Sequence, residues 1–316
     1  MFDRILVPVD GSPRGVEAAE AARHLAERFA AQVVLLRVEG SLAPLGQVLA
    51  DNRALEQQVN DLRKRGLRAD YTIGFGRPDK AIADRAQTER AQLIVMAPHQ
   101  RSRIAALRHP SVTARMLGHA PAPLLVWPEQ EPDRACANFL HMAGSLILAP
   151  LDGSALAEHA LPYAVGFAQT YARALLLVRV VPSPVVTGDG PAIHRGELAY
   201  QSQAEREAHH YLSATRRRLS QQHPGLHIQS MILSGEPWRA LLRCTETHDG
   251  GLVVMTTRGR GGLRRALLGS VAARLVRHTT LPLLIVPPGD AADGAMEAEE
   301  ADGAALHASW PRFSVW

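Results

Sequence analysis

Ile5-Leu6-Val7-Pro8-Val9-Asp10-Gly11-Ser12 recurs as Ile147-Leu148-Ala149-Pro150-Leu151-Asp152-Gly153-Ser154, a step of 142 residues from Asp10 to Asp152. Leu35-Leu36-Arg37-Val38 recurs at the same step as Leu177-Val178-Arg179-Val180. Further along, the step from Gly76 to Gly235 is 159. At that step Gly76-Arg77-Pro78 answers to Gly235-Glu236-Pro237, and Leu93-Ile94-Val95-Met96 to Leu252-Val253-Val254-Met255. Ser111-Val112 likewise answers to Ser270-Val271, and Pro123-Leu124-Leu125-Val126 to Pro282-Leu283-Leu284-Ile285. One insertion of 17 residues in the second copy, near 182–195, takes the step from 142 to 159. Segments that keep their order through a single insertion mean an internal duplication. A length of 316 residues suits two domains at roughly 100–200 residues each.

Within each copy, short continuous apolar runs alternate with segments of helical spacing. Arg4–Val9, 33–38, Leu93–Met96 and 124–127 are runs of the first kind, as expected of strands buried on both faces of a parallel sheet. Between the first two runs, Val16, Ala19, Ala22, Leu25, Ala26 and Phe29 recur at helical spacing and predict one buried face, with Glu17, Glu20, Arg23 and Glu27 turned mostly away. Pro78 and Pro237 stand where a helix would begin, a position proline tolerates. The fold class is therefore α/β: two tandem doubly wound domains, each a five-stranded parallel sheet flanked by helices. The predicted organisation is a first domain over 1–128, a linker over 129–143, a second domain over 144–288 and an acidic tail over 289–316, expected to be disordered. Each copy ends in a short apolar strand that must be covered, so the two last strands are expected to pair, making a pseudo-dimer within one chain. Association of two chains is left open.

Composition narrows the function classes. Hydrophobic residues at 46% and charged residues at 21% describe an ordinary globular protein. The formal net charge of +4 is unevenly placed: the tail carries Asp290, Asp293, Glu297, Glu299, Glu300 and Asp302 against Arg312. The basic remainder is scattered arginine, so nucleic acid is not an expected partner. Two cysteines, Cys136 and Cys244, make no disulfide framework. Met1–Val7 reads as a strand and lacks the zones of a signal peptide, and no apolar run approaches the roughly 18 residues of a membrane span. A cytoplasmic location, with no membrane contact, is expected.

In an open parallel sheet, ligands bind beyond the carboxyl ends of the strands, where strand order reverses. Two segments of the second copy should meet there: Pro150-Leu151-Asp152-Gly153-Ser154 and the stretch from Met255-Thr256-Thr257-Arg258-Gly259 to Gly269-Ser270-Val271. Glycines at 259, 261 and 262 permit sharp turns and close approach to a ligand. Gly269-Ser270 opens a helix with Ser270 as the expected N-cap, and a helix N-terminus suits an anion. Arg258, Arg260, Arg264 and Arg265 add positive charge. The same stretch also reads as a solvated glycine-rich loop, and Asp-Gly-Ser is also ordinary turn and capping chemistry. The residues alone leave both choices open.

This stretch resembles the nucleotide loop of the universal stress protein family: Gly, two residues, Gly, nine residues, Gly, then Ser or Thr. Gly259, nine further residues and Gly269-Ser270 follow that pattern, while Thr256 takes the place of its first glycine. The resemblance covers about 1–128 and 144–288. It implies ATP as the ligand of the second copy, with or without Mg. Asp152, preceded by Pro150, would lie beside the adenosine, and Val180 would offer backbone contacts to adenine. Met255, Thr256, Arg258 and Gly259 would line the ribose and phosphates, with Met255 expected chiefly to pack. Gly269, Ser270 and Val271 would hold the phosphates. The first copy keeps Asp10 but has Gln100 for the second glycine and Pro110 for the third, so its phosphate cradle is expected to be lost.

Other constellations carry less. Glu205 and His209 stand at i, i+4, which reads as a surface pair rather than a metal site, and no metal or catalytic residue is expected. Neither a Walker loop nor a Gly-x-Ser-x-Gly elbow is present. Three function classes remain: a non-catalytic ATP-binding stress-response regulator, which the resemblance favours; a slow ATPase or related transferase; and a scaffold that binds proteins without nucleotide.

Overall fold

The computed structural model describes residues 1–40, 45–98, 111–128, 146–181, 191–248, 250–257 and 269–288. The expected linker, the tail, Gln100, Pro110, Arg258 and Gly259 lie outside the described residues. In the first half, strands β1 (Arg4–Val9), β2 (Gln32–Glu39), β3 (Arg68–Phe75), β4 (Leu93–Met96) and β5 (Leu124–Val126) alternate with helices α1 (Pro13–Phe29), α2 (Leu45–Lys64), α3 (Pro78–Thr88) and α4 (Val112–Met116). The second half repeats this with β6 (Leu146–Pro150), α5 (Ala155–Glu158), α6 (Leu161–Thr170), β7 (Leu175–Val181), α7 (Pro191–Gln222), β8 (Ile228–Ser234), α8 (Pro237–Thr247), β9 (Gly250–Thr256), α9 (Ser270–His278) and β10 (Leu283–Val286). Pro78 and Pro237 each open a helix, as expected.

All ten strands form one sheet in the order β3-β2-β1-β4-β5-β10-β9-β6-β7-β8. Neighbours run parallel except at the centre, where β5 and β10 are antiparallel, with Leu125 opposite Leu284. The two apolar last strands thus cover one another within the chain. Strand residues are buried on both sides: Ile5 and Val7 face one core with α1, α2, α6 and α7, while Leu6 faces a second core with α3, α4, α8 and α9. No helix among the described residues is long and apolar enough to cross a membrane.

A second seam joins the halves on the face of α1 and α6. Phe29 and Phe2 meet Phe167 with ring centroids 5.5 and 5.9 Å apart, and Phe2 stacks on Tyr163 at 6.1 Å. The buried stripe of α1 runs through Gly15, Ala18, Ala21, Ala22, Leu25 and Ala26. Val16, expected on that face, is 50% exposed. A stripe of small residues lets the helix lie close to the sheet, and one turn of 3.6 residues then leaves position 16 outside.

The halves also differ where the repeat predicts likeness. Helix α1 runs unbroken for 17 residues, whereas its counterpart splits into α5 and α6. Pro162, at the place of Glu20, is the cause. It has no N–H to give the carbonyl of Glu158, and its ring crowds that carbonyl, so α5 ends there. Three-residue hydrogen bonds take over, from His159 N–H to Leu156 at 3.2 Å and from Ala160 N–H to Ala157 at 3.3 Å. Helix α7 spans 32 residues against 20 for α2, so part of the insertion lengthens a helix.

Candidate functional site

In the second half, strand order reverses between β6 and β9, and the crevice of a doubly wound sheet opens there at the carboxyl ends. Pro150 ends β6 opposite Val178 of β7, and Leu151 N–H continues the ladder to the Val178 carbonyl at 2.7 Å. The chain then turns through Gly153 at φ +85°, a left-handed conformation that favours glycine. Asp152 Oδ1 accepts from Ser154 N–H at 3.0 Å and from Ser154 Oγ–H at 2.6 Å. Ser154 Oγ in turn accepts from Ala157 N–H at 3.2 Å and caps α5. Turn and cap chemistry at Asp152 is therefore present, beside whatever its carboxylate offers a ligand. Val180 stands near the end of β7, half-buried against the second core.

On the other side of β6, Met255 is buried in the second core and Thr256 closes β9 opposite Val286. Thr257 N–H bonds the Val286 carbonyl at 3.2 Å, and Gly269 N–H bonds the Thr257 carbonyl at 2.8 Å. The start of α9 is thereby tied to the tip of β9, across the residues that hold Arg258 and Gly259. One expectation is corrected here. The N-cap is Gly269 and not Ser270, which is the first helical residue and exposed. The Gly269 N–H is already bonded to the Thr257 carbonyl, so the N–H groups of the first helical turn start at Ser270. Gly269 has φ −65° and ψ 145°, extended backbone that any residue adopts. Its glycine character therefore supplies an N-cap without a side chain.

The first half shows the alternative. There Ser111, the counterpart of Ser270, is itself the N-cap, and its Oγ accepts from Ala114 N–H at 3.1 Å. A shift of one residue thus separates a helix capped by its own serine from one whose serine stands in the first turn. Helix N-termini carry partial positive charge and unpaired N–H groups, so the second arrangement suits an external anion.

Residues not singled out from the sequence frame this crevice. The Arg179 guanidinium lies over the Tyr211 ring at 5.2 Å and against Gly153, where a Cβ would be 2.7 Å from its Nη1. The Tyr211 hydroxyl donates to Glu158 Oε1 at 2.9 Å, and Arg218 pairs with the other Glu158 oxygen. Burial first, and then the Glu158 carboxylate, pushes the Tyr211 hydroxyl well above its usual range, so it stays a donor. In the first half, Arg37 turns instead to Glu39 Oε1 at 3.1 Å and Asp51 Oδ2 at 2.8 Å. The arginine in both copies of the β2 and β7 repeat was the available signal.

Each half also ties its last two helices together with an acid and an arginine, placed differently. Arg115 meets Asp79 at 3.2 Å in the first half, while Arg274 pairs with Glu236 in the second. Trp238, at the place of Asp79, donates to Glu236 at 2.6 Å and stacks on His278. A groove of about 720 Å³ runs along α6 and the later part of α7, and a cleft of about 270 Å³ lies at the seam by His24, Glu27, Arg28 and Tyr171. Neither is lined by Asp152, Val180, Met255, Thr256 or Ser270. Val180, Thr256 and Ser270 each stand two residues from a stretch outside the described residues.

The profile of the Universal stress protein family matches residues 1–128 and again 146–287. Universal stress protein MJ0531 of Methanocaldococcus jannaschii is 30% identical over 140 residues, covering 44% of this chain and 80% of that one. Universal stress protein MT2052 of Mycobacterium tuberculosis is 29% identical over 150 residues, covering 45% of this chain and 47% of that one, so the match spans about half of that relative. A crystal structure of a universal stress protein from Archaeoglobus fulgidus superposes with a TM-score of 0.68 at 18% identity, over 91% of this chain and 97% of that one, which shows a common fold.

Proposed function

We propose, from the premise that this chain belongs to the universal stress protein family, that its second half holds ATP at the carboxyl edge of the sheet. Occupancy of that site, rather than catalysis, would be the function: a nucleotide-dependent regulator in a stress response, working in the cytoplasm. The organisation proposed is a degenerate domain over 1–128 joined by 129–143 to a nucleotide-holding domain over 144–288. The observation that carries the reading is the start of α9, where Gly269 caps without a side chain and Ser270 is exposed in the first turn, against Ser111 capping its own helix in the first half. This helix start fits a polyphosphate, with donors from Ser270 and Val271. Asp152 and Pro150 would border the adenosine, and Val180 would meet adenine through its backbone. Thr256, Arg258 and Gly259 would line the ribose and phosphates, with Met255 packing beneath. A bound Mg ion would accompany the triphosphate and neutralise part of its charge.

The test is to denature the purified protein, identify any released nucleotide by mass spectrometry, and titrate the emptied protein with ATP by calorimetry. One site per chain is expected. Two equal sites would overturn the asymmetry between the halves, and no binding of any adenine nucleotide would overturn the reading. Multiple turnovers of ATP to ADP would replace the regulator with an ATPase.

A further inference from the structure

The Asp152 turn of the second half rests on a weaker mount than its counterpart. In the first half, Asp10 Oδ1 accepts from Ser12 N–H at 3.0 Å, and Ser12 caps a continuous helix of 17 residues. In the second, the same turn leads into the four residues of α5, beyond which Pro162 has removed the helical bond. A four-residue helix has almost no stability of its own. Something else must hold the segment from Asp152 to Glu158, and both of its ends lead to one side chain. At one end, Gly153 lies under the Arg179 guanidinium, which stacks on the Tyr211 ring at 5.2 Å. At the other, Glu158 accepts from the Tyr211 hydroxyl at 2.9 Å and pairs with Arg218. Among the described residues, the first half has no such hub. Asn52 takes the place of Tyr211, and Arg37 is drawn to Glu39 and Asp51, with its Nη1 3.4 Å from a Cβ at Gly11 against 2.7 Å for Arg179 at Gly153.

We propose that Tyr211 is a positioning residue for the second half's crevice, its ring holding Arg179 against the Asp152 turn and its hydroxyl holding Glu158 at the far end of α5. The role in ligand affinity rests on the nucleotide reading above; the role in holding the turn does not. Tyr211 is on α7, and its ring and hydroxyl are engaged by Arg179 and Glu158, so it acts through those two residues rather than on the ligand.

The test compares Tyr211→Leu, which removes ring and hydroxyl, with Tyr211→Phe, which keeps the ring. Amide hydrogen exchange at Ser154 and Ala157 reads the turn and the cap directly, and Ser12 and Gly15 provide the same bonds in the first half as an internal control. In Tyr211→Leu, exchange at Ser154 and Ala157 should rise by about tenfold while Ser12 and Gly15 stay unchanged, and ATP affinity measured by calorimetry should fall by about tenfold. Tyr211→Phe should keep most of the Ser154 protection, because the stack with Arg179 survives. Unchanged exchange at Ser154 in Tyr211→Leu, or a rise shared equally by both halves, would overturn the proposal. Faster exchange with unaltered ATP affinity would overturn its link to the ligand. A wild-type chain that binds no ATP would sink the nucleotide reading alone, since the exchange comparison still decides what Tyr211 holds.

Discussion

Replacing Gly269 by Asp gives the second half the kind of helix start that the first half makes with Ser111. The backbone at 269 is extended, at φ −65° and ψ 145°, so aspartate enters without strain. Its carboxylate would accept from the N–H of Val271 or Ala272, as Ser111 Oγ accepts from Ala114. Two effects of opposite sign follow. An aspartate N-cap improves on glycine by a few tenths of a kcal/mol, and its charge at the positive end of α9 adds about 0.3–1 kcal/mol. The variant should therefore melt at the same temperature or about 1–3 °C higher. A phosphate at this place loses at least one charge-assisted hydrogen bond, worth about 1.5–3 kcal/mol, and meets a like charge. ATP affinity should fall by about tenfold to 150-fold. Adenosine has no phosphate and should bind both proteins alike. Calorimetry with ATP and adenosine, beside a thermal scan, reads all three quantities. Unchanged ATP affinity would refute the placing of phosphate at α9. A parallel fall in melting temperature and adenosine affinity would mean that the substitution had simply damaged the half.

Phe167→Ala should cost about 3–5 kcal/mol in chemical denaturation, because the ring is fully buried between Phe2 and Phe29 of the other half. A loss below about 1 kcal/mol would show that the aromatic seam does not couple the halves. The Asp79 carboxyl is held below its ordinary value of 3.8, first by its hydrogen bond from Arg77 and also by Arg115. A depressed folded value means that its stabilisation is present above about pH 4 and drains away as pH falls through that value. Asp79→Asn should accordingly lower stability at neutral pH and flatten the acid limb; identical slopes for the two proteins below about pH 4 would contradict the ion pair's role.

The repeat made most of the fold legible, because a buried parallel strand writes itself as a continuous apolar run wherever it lies. Leu125 and Leu284 could be matched to one another for the same reason: two short apolar edges in one chain have few other ways to be covered. What escaped was contact between distant side chains. Phe29 was readable as an inward residue of α1, but nothing local says that its partner is Phe167. Val16 was misplaced because helical spacing alone does not tell which of two adjacent stripes the small alanines draw toward the sheet. The split of α1's counterpart had a visible cause in Pro162 and follows from an absent N–H. Beyond β9, Gly269-Ser270 was readable as the start of a helix. Which residue serves as the cap depends on backbone angles at 269, and the serine alone could not reveal it. Arg179 was quoted as part of the repeat, yet its stack on Tyr211 depends on where α7 lies over the sheet.

The antiparallel join of β5 and β10 has a consequence for how such a molecule can change. When two identical chains meet along a two-fold axis, any substitution arrives on both sides at once, and a change that helps one lobe must be tolerated by the other. Here the partners are written separately in one chain and cannot exchange. Pro162 could break a helix in one lobe while Glu20 preserved it in the other, and the serine that caps one helix could be freed in its twin. Covalent union turns a symmetric pair into two surfaces that answer to different demands, with each lobe always in the presence of its own counterpart.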